Sequence, residues 1–347
     1  MRVICNPNHA AHVPPHEVDN GAVVPPWEVP GRYEAIRAAL AAHGGFTVED
    51  APDLPAEALT GLHDAGYVAH LRDTSAALAG SGGWVMPSVF PFAPGQPRGE
   101  TARRGAYCFD TFTAITAGTW AAALGGAAAT CRAARLVAGG ERAVYALTRP
   151  PGHHAERGRC GGYSFLNNAA LAANLLLDLG PVAVLDIDVH HGNGTQHLFY
   201  ADPAVLTVSV HGDPAGLFPY FSGFADETGS GRGLGFNLNV PLPPGTGVNG
   251  YRPAIAAALE RAGRHRPAAL VVAFGADAHA ADPIGGMRLP TAYFAELGAA
   301  VRALGVPAVV TQEGGYDLAT VGDCAVAFLA ALGGLTVRQQ ERFELWP

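Results

Sequence analysis

The chain has 347 residues, 49% of them hydrophobic and only 15% charged, which supports a sizeable buried core and excludes wholesale disorder. Its formal net charge is -8 and it carries no basic run, so nucleic acid is not an expected partner. The five cysteines (Cys5, Cys108, Cys131, Cys160 and Cys324) are scattered and odd in number, which argues against a disulfide framework and against a thiolate metal site.

A short apolar strand opens the chain at 3–5, and a helical pattern follows at 32–43. A long Ala-rich helix is expected at 118–138, then a strand at 142–148, a helix at 165–179, and strands at 182–188 and 205–210. Helices at 251–264, 291–304 and 318–332 alternate with strands at 268–275 and 306–312. Near-continuous apolar strands separated by helices imply an α/β fold with a parallel sheet covered on both faces. No repeat or linker interrupts the pattern, so residues 1–347 are read as one domain. Two Gly/Pro-rich segments with exposed-looking aromatics, 80–105 and 213–235, are long enough to be functional or interfacial loops. No basic leader precedes an apolar stretch and no apolar run reaches membrane-spanning length, so no membrane contact is expected and a cytoplasmic location is the default.

The polar residues gather in one kind of place. The strand at 142–148 runs into Arg149-Pro150-Pro151-Gly152-His153-His154, and the strand at 182–188 ends in Asp186-Ile187-Asp188-Val189-His190-His191-Gly192-Asn193. The next strands end in Ser209-Val210-His211-Gly212-Asp213, Gly275-Ala276-Asp277-Ala278-His279 and Gln312-Glu313-Gly314-Gly315-Tyr316. In open parallel sheets the ligand crevice lies outside the carboxyl ends of the strands, so these clusters should converge. Asp186 and Asp188 alternate with Ile187, which points both carboxylates the same way at the tail of a buried strand. Paired buried carboxylates call for a compensating cation. Asp188, His190 and Asp277 supply three ligands, the number that leaves a catalytic zinc with an open position. A lone Asp-X-His is more often a buried salt bridge, but repetition at five strand ends tells against that reading. His153 and His154 follow a rigid Pro-Pro-Gly turn and suit acid–base work, with Asp186 and Asn193 available as one ionised and one neutral partner. Tyr316, after two glycines, is placed to offer its hydroxyl to a developing oxyanion.

Together these motifs resemble the histone deacetylase superfamily, with Asn193 and Glu313 resembling its class II branch. Segments such as His211-Gly212-Asp213-Pro214, Phe218-Pro219-Tyr220-Phe221 and Asn237-Leu238-Asn239-Val240-Pro241 are similar to acetylpolyamine amidohydrolases. The resemblance implies the three-layer α-β-α arginase/deacetylase fold with a central, mainly parallel sheet. It implies a zinc held by Asp188, His190 and Asp277, with Fe2+ or Co2+ as possible substitutes for this hard ligand set. It further implies a structural potassium site at Asp186, Asp188, His190, Ser209 and Val210, and a second at Phe199, Asp202, Val205 and Phe236. Tyr163 and Phe218 match the walls of a substrate channel, with Gly162 and Ile284 beside them.

The implied reaction is hydrolysis of an N-acetyl amide on a primary amine. In it His153 takes a proton from the attacking water, Tyr316 steadies the oxyanion, and a protonated histidine assists departure of the amine. The expected substrates are small acetylated amines such as acetylpolyamines; a protein acetyl-lysine deacetylase is the alternative, and a non-catalytic acetyl-amine binder a remoter one. A homodimer contact through 80–105 is expected to narrow the entrance. Glu17, Glu28, Glu100 and Asp110 are the candidates for a carboxylate that meets the distal ammonium at the rim.

Overall fold

The computed structural model of the chain describes residues 1–91 and 99–335, so positions 92–98 of the 80–105 segment lie outside the described residues. The strands, in chain order, are β1 (Arg2–Cys5), β2 (Glu17–Asp19), β3 (Ala22–Val24), β4 (Thr47–Asp50), β5 (Trp84–Val85), β6 (Ile115–Thr116), β7 (Ala143–Leu147), β8 (Val182–Asp186), β9 (Val205–Gly212), β10 (Asn237–Leu242), β11 (Ala269–Phe274) and β12 (Ala308–Gln312). Eight of them form one sheet in the order β10-β9-β8-β11-β12-β7-β1-β4, and every neighbouring pair is parallel. The sheet is thus entirely parallel rather than mainly so. Strands β2 and β3 make a small antiparallel ribbon, as do β5 and β6.

Alternation along each strand sorts side chains into two cores. Val3, Cys5, Tyr145, Leu147, Leu270, Val272 and Phe274 pack on one face with helices Pro30–His43, Val248–His265, Thr291–Ala303 and Val321–Gly333. Ile4, Val144, Ala146, Val271 and Ala273 pack on the other with helices Ala65–Ala77, Thr119–Ala138 and Asn168–Leu176. Small residues allow the close approach: in Thr119–Ala138 thirteen of twenty residues are buried, most of them Ala or Gly. Helix Asn168–Leu176 begins three residues later than its apolar pattern suggests because the Asn167 side chain accepts from Ala170 N–H at 2.8 Å, an N-cap that fixes the start.

The topology explains why the polar clusters meet. The strands β9, β8, β11, β12 and β7 are contiguous in the sheet, and they are the five that carry the clusters. Between β7 and β8, successive strands of this sheet, lie β12 and β11, so the chain reverses its winding where the crevice opens. Both edge strands, β4 and β10, escape an apolar-run search. Strand β4 reads Thr-Val-Glu-Asp, and β10 turns Asn237 and Asn239 inward. Of the 80–105 segment, the described residues include β5 and most of the helix Glu100–Ala106.

An N-terminal arm is stitched over the ends of β7 and β12. Glu28, buried, lies 2.9 Å from both Arg32 Nη1 and Arg149 Nε. Arg149 Nη2 donates to the His12 carbonyl at 2.8 Å, and Arg32 donates to the carbonyls of Gly315 and Glu313 at 2.5 and 2.6 Å. Glu28 is therefore a structural charge and not a rim carboxylate. Glu28→Ala leaves two buried guanidinium groups without their counter-ion and is expected to lower unfolding free energy by about 3–5 kcal/mol. Urea unfolding measures this, and a loss below about 1 kcal/mol would contradict the assigned role.

Candidate active site

Asp188, His190 and Asp277 come together just beyond β8 and β11, fully buried, with one ligating atom of each within 4.8 Å of the others. His190 Nδ1 lies 3.2 Å from Asp188 Oδ1 and 3.2 Å from Asp277 Oδ2. Backbone N–H groups orient the carboxylates: His190 N–H donates to Asp188 Oδ1 at 2.9 Å, Gly314 N–H to Asp188 Oδ2 at 2.6 Å, and Val189 N–H to Asp277 Oδ1 at 2.9 Å. A Cβ on Gly314 would lie 2.0 Å from Asp277 Oδ2, so only glycine lets this turn close over the ligands. Two carboxylates and one imidazole converging in a dry site are the donor set of a catalytic metal with open positions, and the residues fit such an ion. Among the described residues this is the one group of three or more His, Cys, Asp or Glu so placed.

Strand β8 ends at Asp186, two residues before the expected limit, and the chain then turns so that Asp188 N–H donates to Asp186 Oδ1 at 3.1 Å. The two carboxylates consequently take different partners. Asp186 Oδ2 lies 2.9 Å from His153 Nδ1, whereas His154 Nδ1 lies 2.7 Å from Asn193 Oδ1. Both rings are buried, and burial by itself lowers an imidazole pKa. For His153 the carboxylates of Asp186 and Asp188 outweigh that and raise it to about 10. For His154 burial is joined by the neighbouring His153 and His190, and its pKa falls well below the usual histidine range. A dication among the ligands would take back the part of the rise at His153 that comes from Asp188, leaving Asp186 as its ion partner. The different partners thus leave a neutral His154 beside a cationic His153.

Tyr316 closes the other side. Its N–H donates to Asp282 Oδ2 at 2.7 Å, and the Arg32 guanidinium sits 4.5 Å from its ring centroid. Burial, the largest influence, holds its hydroxyl protonated well above the usual range, so it acts as a donor. Glu313, read only as a branch marker, accepts from Gly152 N–H at 2.6 Å and His153 N–H at 3.0 Å and so fixes the histidine turn. Burial raises it to about 7. Neither Glu313 nor Asp282 is recognisable from sequence as a brace, because each acts through backbone amides distant in the chain.

A cavity of about 150 Å³ opens onto these groups, lined by His154, His190 and Tyr316 and by all four expected channel residues, Gly162, Tyr163, Phe218 and Ile284. The Phe218 ring meets His154 edge-on at 4.9 Å. A Cβ on Gly162 would fall 2.1 Å from His154 Cδ2, so glycine is needed where the wall touches that ring. The arm supplies a wall the sequence did not reveal: Asp19, Val24 and Trp27 join Glu17 there. Glu17 is buried, with Oε2 accepting from Tyr163 Oη at 2.9 Å and Oε1 from Trp27 N–H at 2.7 Å, and burial raises it to about 7. The other rim candidates lie elsewhere. Glu100 is exposed and paired with Arg104, and buried Asp110 accepts from Phe112 and Thr113 N–H groups at 3.0 Å to shape the neighbouring loop.

The residues expected around potassium are grouped as well. Asp186 registers with Ser209 across the β8–β9 pair, with Val210 following, beside Asp188 and His190. Phe199, Asp202, Val205 and Phe236 surround the start of β9, where Asp202 N–H donates to the Phe199 carbonyl at 2.9 Å and Thr207 N–H to that of Phe236 at 3.0 Å.

A doubly wound sheet whose strand ends gather a metal-ligating triad, a histidine pair and a tyrosine is the framework of a hydrolase that works on a polarised carbonyl. The histone deacetylase domain matches residues 26–332, and the chain belongs to that family of amide-cleaving deacetylases. It is 40% identical to the acetylpolyamine amidohydrolase of Mycoplana ramosa over 93% of this chain and 96% of that one. It is 38% identical to acetylpolyamine amidohydrolase 1 of Pseudomonas aeruginosa, over 96% and 99% of the two chains. A crystal structure of the acetylpolyamine aminohydrolase from Burkholderia pseudomallei superposes with a TM-score of 0.93 at 37% identity, covering 96% of this chain and 99% of that one.

Metal binding requires deprotonated ligands, whereas the neighbouring carboxylates, against the opposing effect of burial, hold His190 at about 10. Loading the metal at pH 7 is therefore expected to release at least one proton, measurable by calorimetry in buffers of different ionisation enthalpy; binding without proton release would refute this. A histidine raised on folding contributes stability that is full below its unfolded pKa and lost as pH rises through its folded value. The metal-free protein should therefore lose Tm between pH 7 and pH 10 as His153 and His190 deprotonate, more steeply than the loaded protein. Gly314→Ala should weaken metal affinity by about 10-fold or more, as disturbing a metal's supporting contacts does. Unchanged affinity in a competition titration would exclude the contact at Gly314.

Proposed function

We propose that the chain is a zinc-dependent amidohydrolase that removes acetyl groups from small N-acetylated primary amines, acetylpolyamines among them. One observation carries the choice of substrate: a single cavity has Tyr316, His154 and His190 on its walls together with the carboxylates of Glu17 and Asp19. An acetamide at the first group and a distal ammonium at the second suit a slender cationic amine. The names of the similar Mycoplana, Pseudomonas and Burkholderia proteins agree with this reading.

Held by Asp188, His190 and Asp277, a zinc ion supplies Lewis acidity toward a carbonyl and acidifies water; Fe2+ or Co2+ suits the same ligands. The chain's own groups do the rest. His154 accepts the proton of the attacking water at Nε2 while Nδ1 stays on Asn193. Tyr316 donates its hydroxyl to the oxygen that gains charge at the acetyl carbon. His153, held against Asp186, keeps positive charge beside that centre, and an imidazolium of the pair delivers the proton with which the amine leaves as the C–N bond breaks. Tyr163 and Phe218 flank the chain of the substrate, with Gly162 and Ile284 beside them. Potassium at Asp186, Asp188, His190, Ser209 and Val210, and at Phe199, Asp202, Val205 and Phe236, would brace the strand ends. A homodimer through 80–105 would narrow the mouth further.

The zinc-loaded enzyme is expected to turn over acetylputrescine and acetylspermidine in preference to an acetyl-lysine peptide; a clear preference for the peptide overturns the substrate assignment. Tyr316→Phe should lower kcat by about 10²–10³-fold, and His154→Ala by about 10²–10⁴-fold. Near wild-type turnover in either variant removes that residue from the mechanism. Glu17→Gln should raise KM for acetylputrescine by about 10-fold or more, the scale of one charged hydrogen bond, with little change for a neutral N-alkylacetamide. An equal effect on both compounds would place Glu17 outside amine recognition.

A further inference from the structure

We propose that Glu156 is a positioning residue for the reaction, setting the tautomer of His154 through the side-chain amide of Asn193. Three buried side chains form a line: His154 Nδ1 lies 2.7 Å from Asn193 Oδ1, and Asn193 Nδ2 donates to Glu156 Oε1 at 3.2 Å. The other carboxylate oxygen, Oε2, is clamped by Arg159, which donates from Nε at 3.0 Å and from Nη2 at 2.6 Å. An amide has one accepting and one donating end, and the two are interchangeable in shape but not in chemistry. The carboxylate of Glu156, ion-paired with Arg159, has lone pairs and no proton to give, so it selects the NH2 end of Asn193. A second acceptor, the His154 carbonyl, lies 3.4 Å from the same Nδ2 and selects the same orientation. Asn193 Oδ1 must then face His154, and an oxygen there requires the proton to sit on Nδ1. The neutral ring consequently keeps its lone pair on Nε2, the nitrogen with which it accepts a proton. Without Glu156 only the longer contact to the His154 carbonyl opposes turning the amide over, and a turned amide's NH2 would select the other tautomer, which has no lone pair at Nε2.

Glu156 is outside the catalytic machinery. It lines, with Asn193 and Arg159, a groove of about 750 Å³ that shares none of its residues with the substrate cavity. Arg159, half-exposed in that groove, can therefore be altered away from the substrate.

In Glu156→Gln the guanidinium of Arg159 takes the new amide's oxygen, and the NH2 is left facing Asn193. The expected result is a kcat lower by about 10-fold or more with KM within about twofold, since proton transfer and not binding is affected. Removing the clamp as well, in Glu156→Gln with Arg159→Ala, lets the amide present its oxygen to Asn193 and is expected to recover kcat relative to the single variant. A fold defect would not be repaired by a second deletion, so failure to recover overturns the proposal. The direct readout is nitrogen NMR of the zinc-loaded enzyme labelled at histidine, with the His154 signals assigned by their loss in His154→Ala. Wild type should show a neutral ring protonated at Nδ1, and Glu156→Gln should move the proton toward Nε2. A wild-type ring protonated at Nε2, or the same spectrum in both proteins, refutes the role of Glu156. The catalytic part rests on His154 being the proton acceptor, and turnover of His154→Ala tests that alone; the spectrum reports the tautomer whether or not His154 is catalytic.

Discussion

Four carboxylates, those of Asp186, Asp188, Asp277 and Glu313, are buried within one small region at the carboxyl ends of the sheet. Like charges in a dry site are strongly unfavourable unless each finds donors and, in sum, positive charge. Much of the local architecture answers that constraint. Backbone amides of Val189, His190 and Gly314 point at the ligand carboxylates, and those of Gly152 and His153 at Glu313. The rings of His153 and His190 supply the nearest positive charge, and a metal ion would supply more. Glycines stand where these loops must come within contact of an oxygen, as Gly192 does beside Asp186 and Gly275 beside Asp188.

Two adjacent histidines with the same burial acquire opposite character from one difference in partner. Asp186 brings charge to His153, while Asn193 brings only a dipole to His154. Because Asp186 ends β8 and Asn193 opens the helix that follows, a single stretch of chain supplies two members of the Asp188–His190–Asp277 cluster and also gives the two histidines their different partners. The same stretch reaches Glu156 through Asn193, which extends the polar network to the far side of the wall.

The chemistry was legible in the sequence because it sits at strand ends and comes from short contiguous motifs. Asp188, His190, Asp277, His153, His154 and Tyr316 all converge as the strand-end rule requires, and the apolar strands that carry them announce themselves by composition. The edge strands did not, since β4 has one side open to solvent and β10 alternates asparagine with apolar residues. The braces were hidden for a different reason. Glu313, Asp282, Glu28 and Glu156 each brace the site through a partner distant in the chain, Gly152, Tyr316, Arg149 and Asn193 respectively, and only the tertiary fold sets those pairs. Glu28 shows the limit clearly: a carboxylate near the start of the chain is equally a rim charge or a buried counter-ion until Arg32 and Arg149 are seen beside it.

The arm that carries Glu17, Asp19 and Trp27 is separate in the chain from every metal-ligating residue, although it shares the cavity with them. Part of the cavity wall and the Asp188–His190–Asp277 cluster are thereby written in different passages of the sequence. Drift or grafting in the arm can reshape that wall while the buried cluster stays intact. The restriction on such change is the anchor at Glu28, whose loss would unfasten the new wall from the body of the enzyme. A scaffold divided in this way lends itself to diversification by exchange of one short N-terminal module.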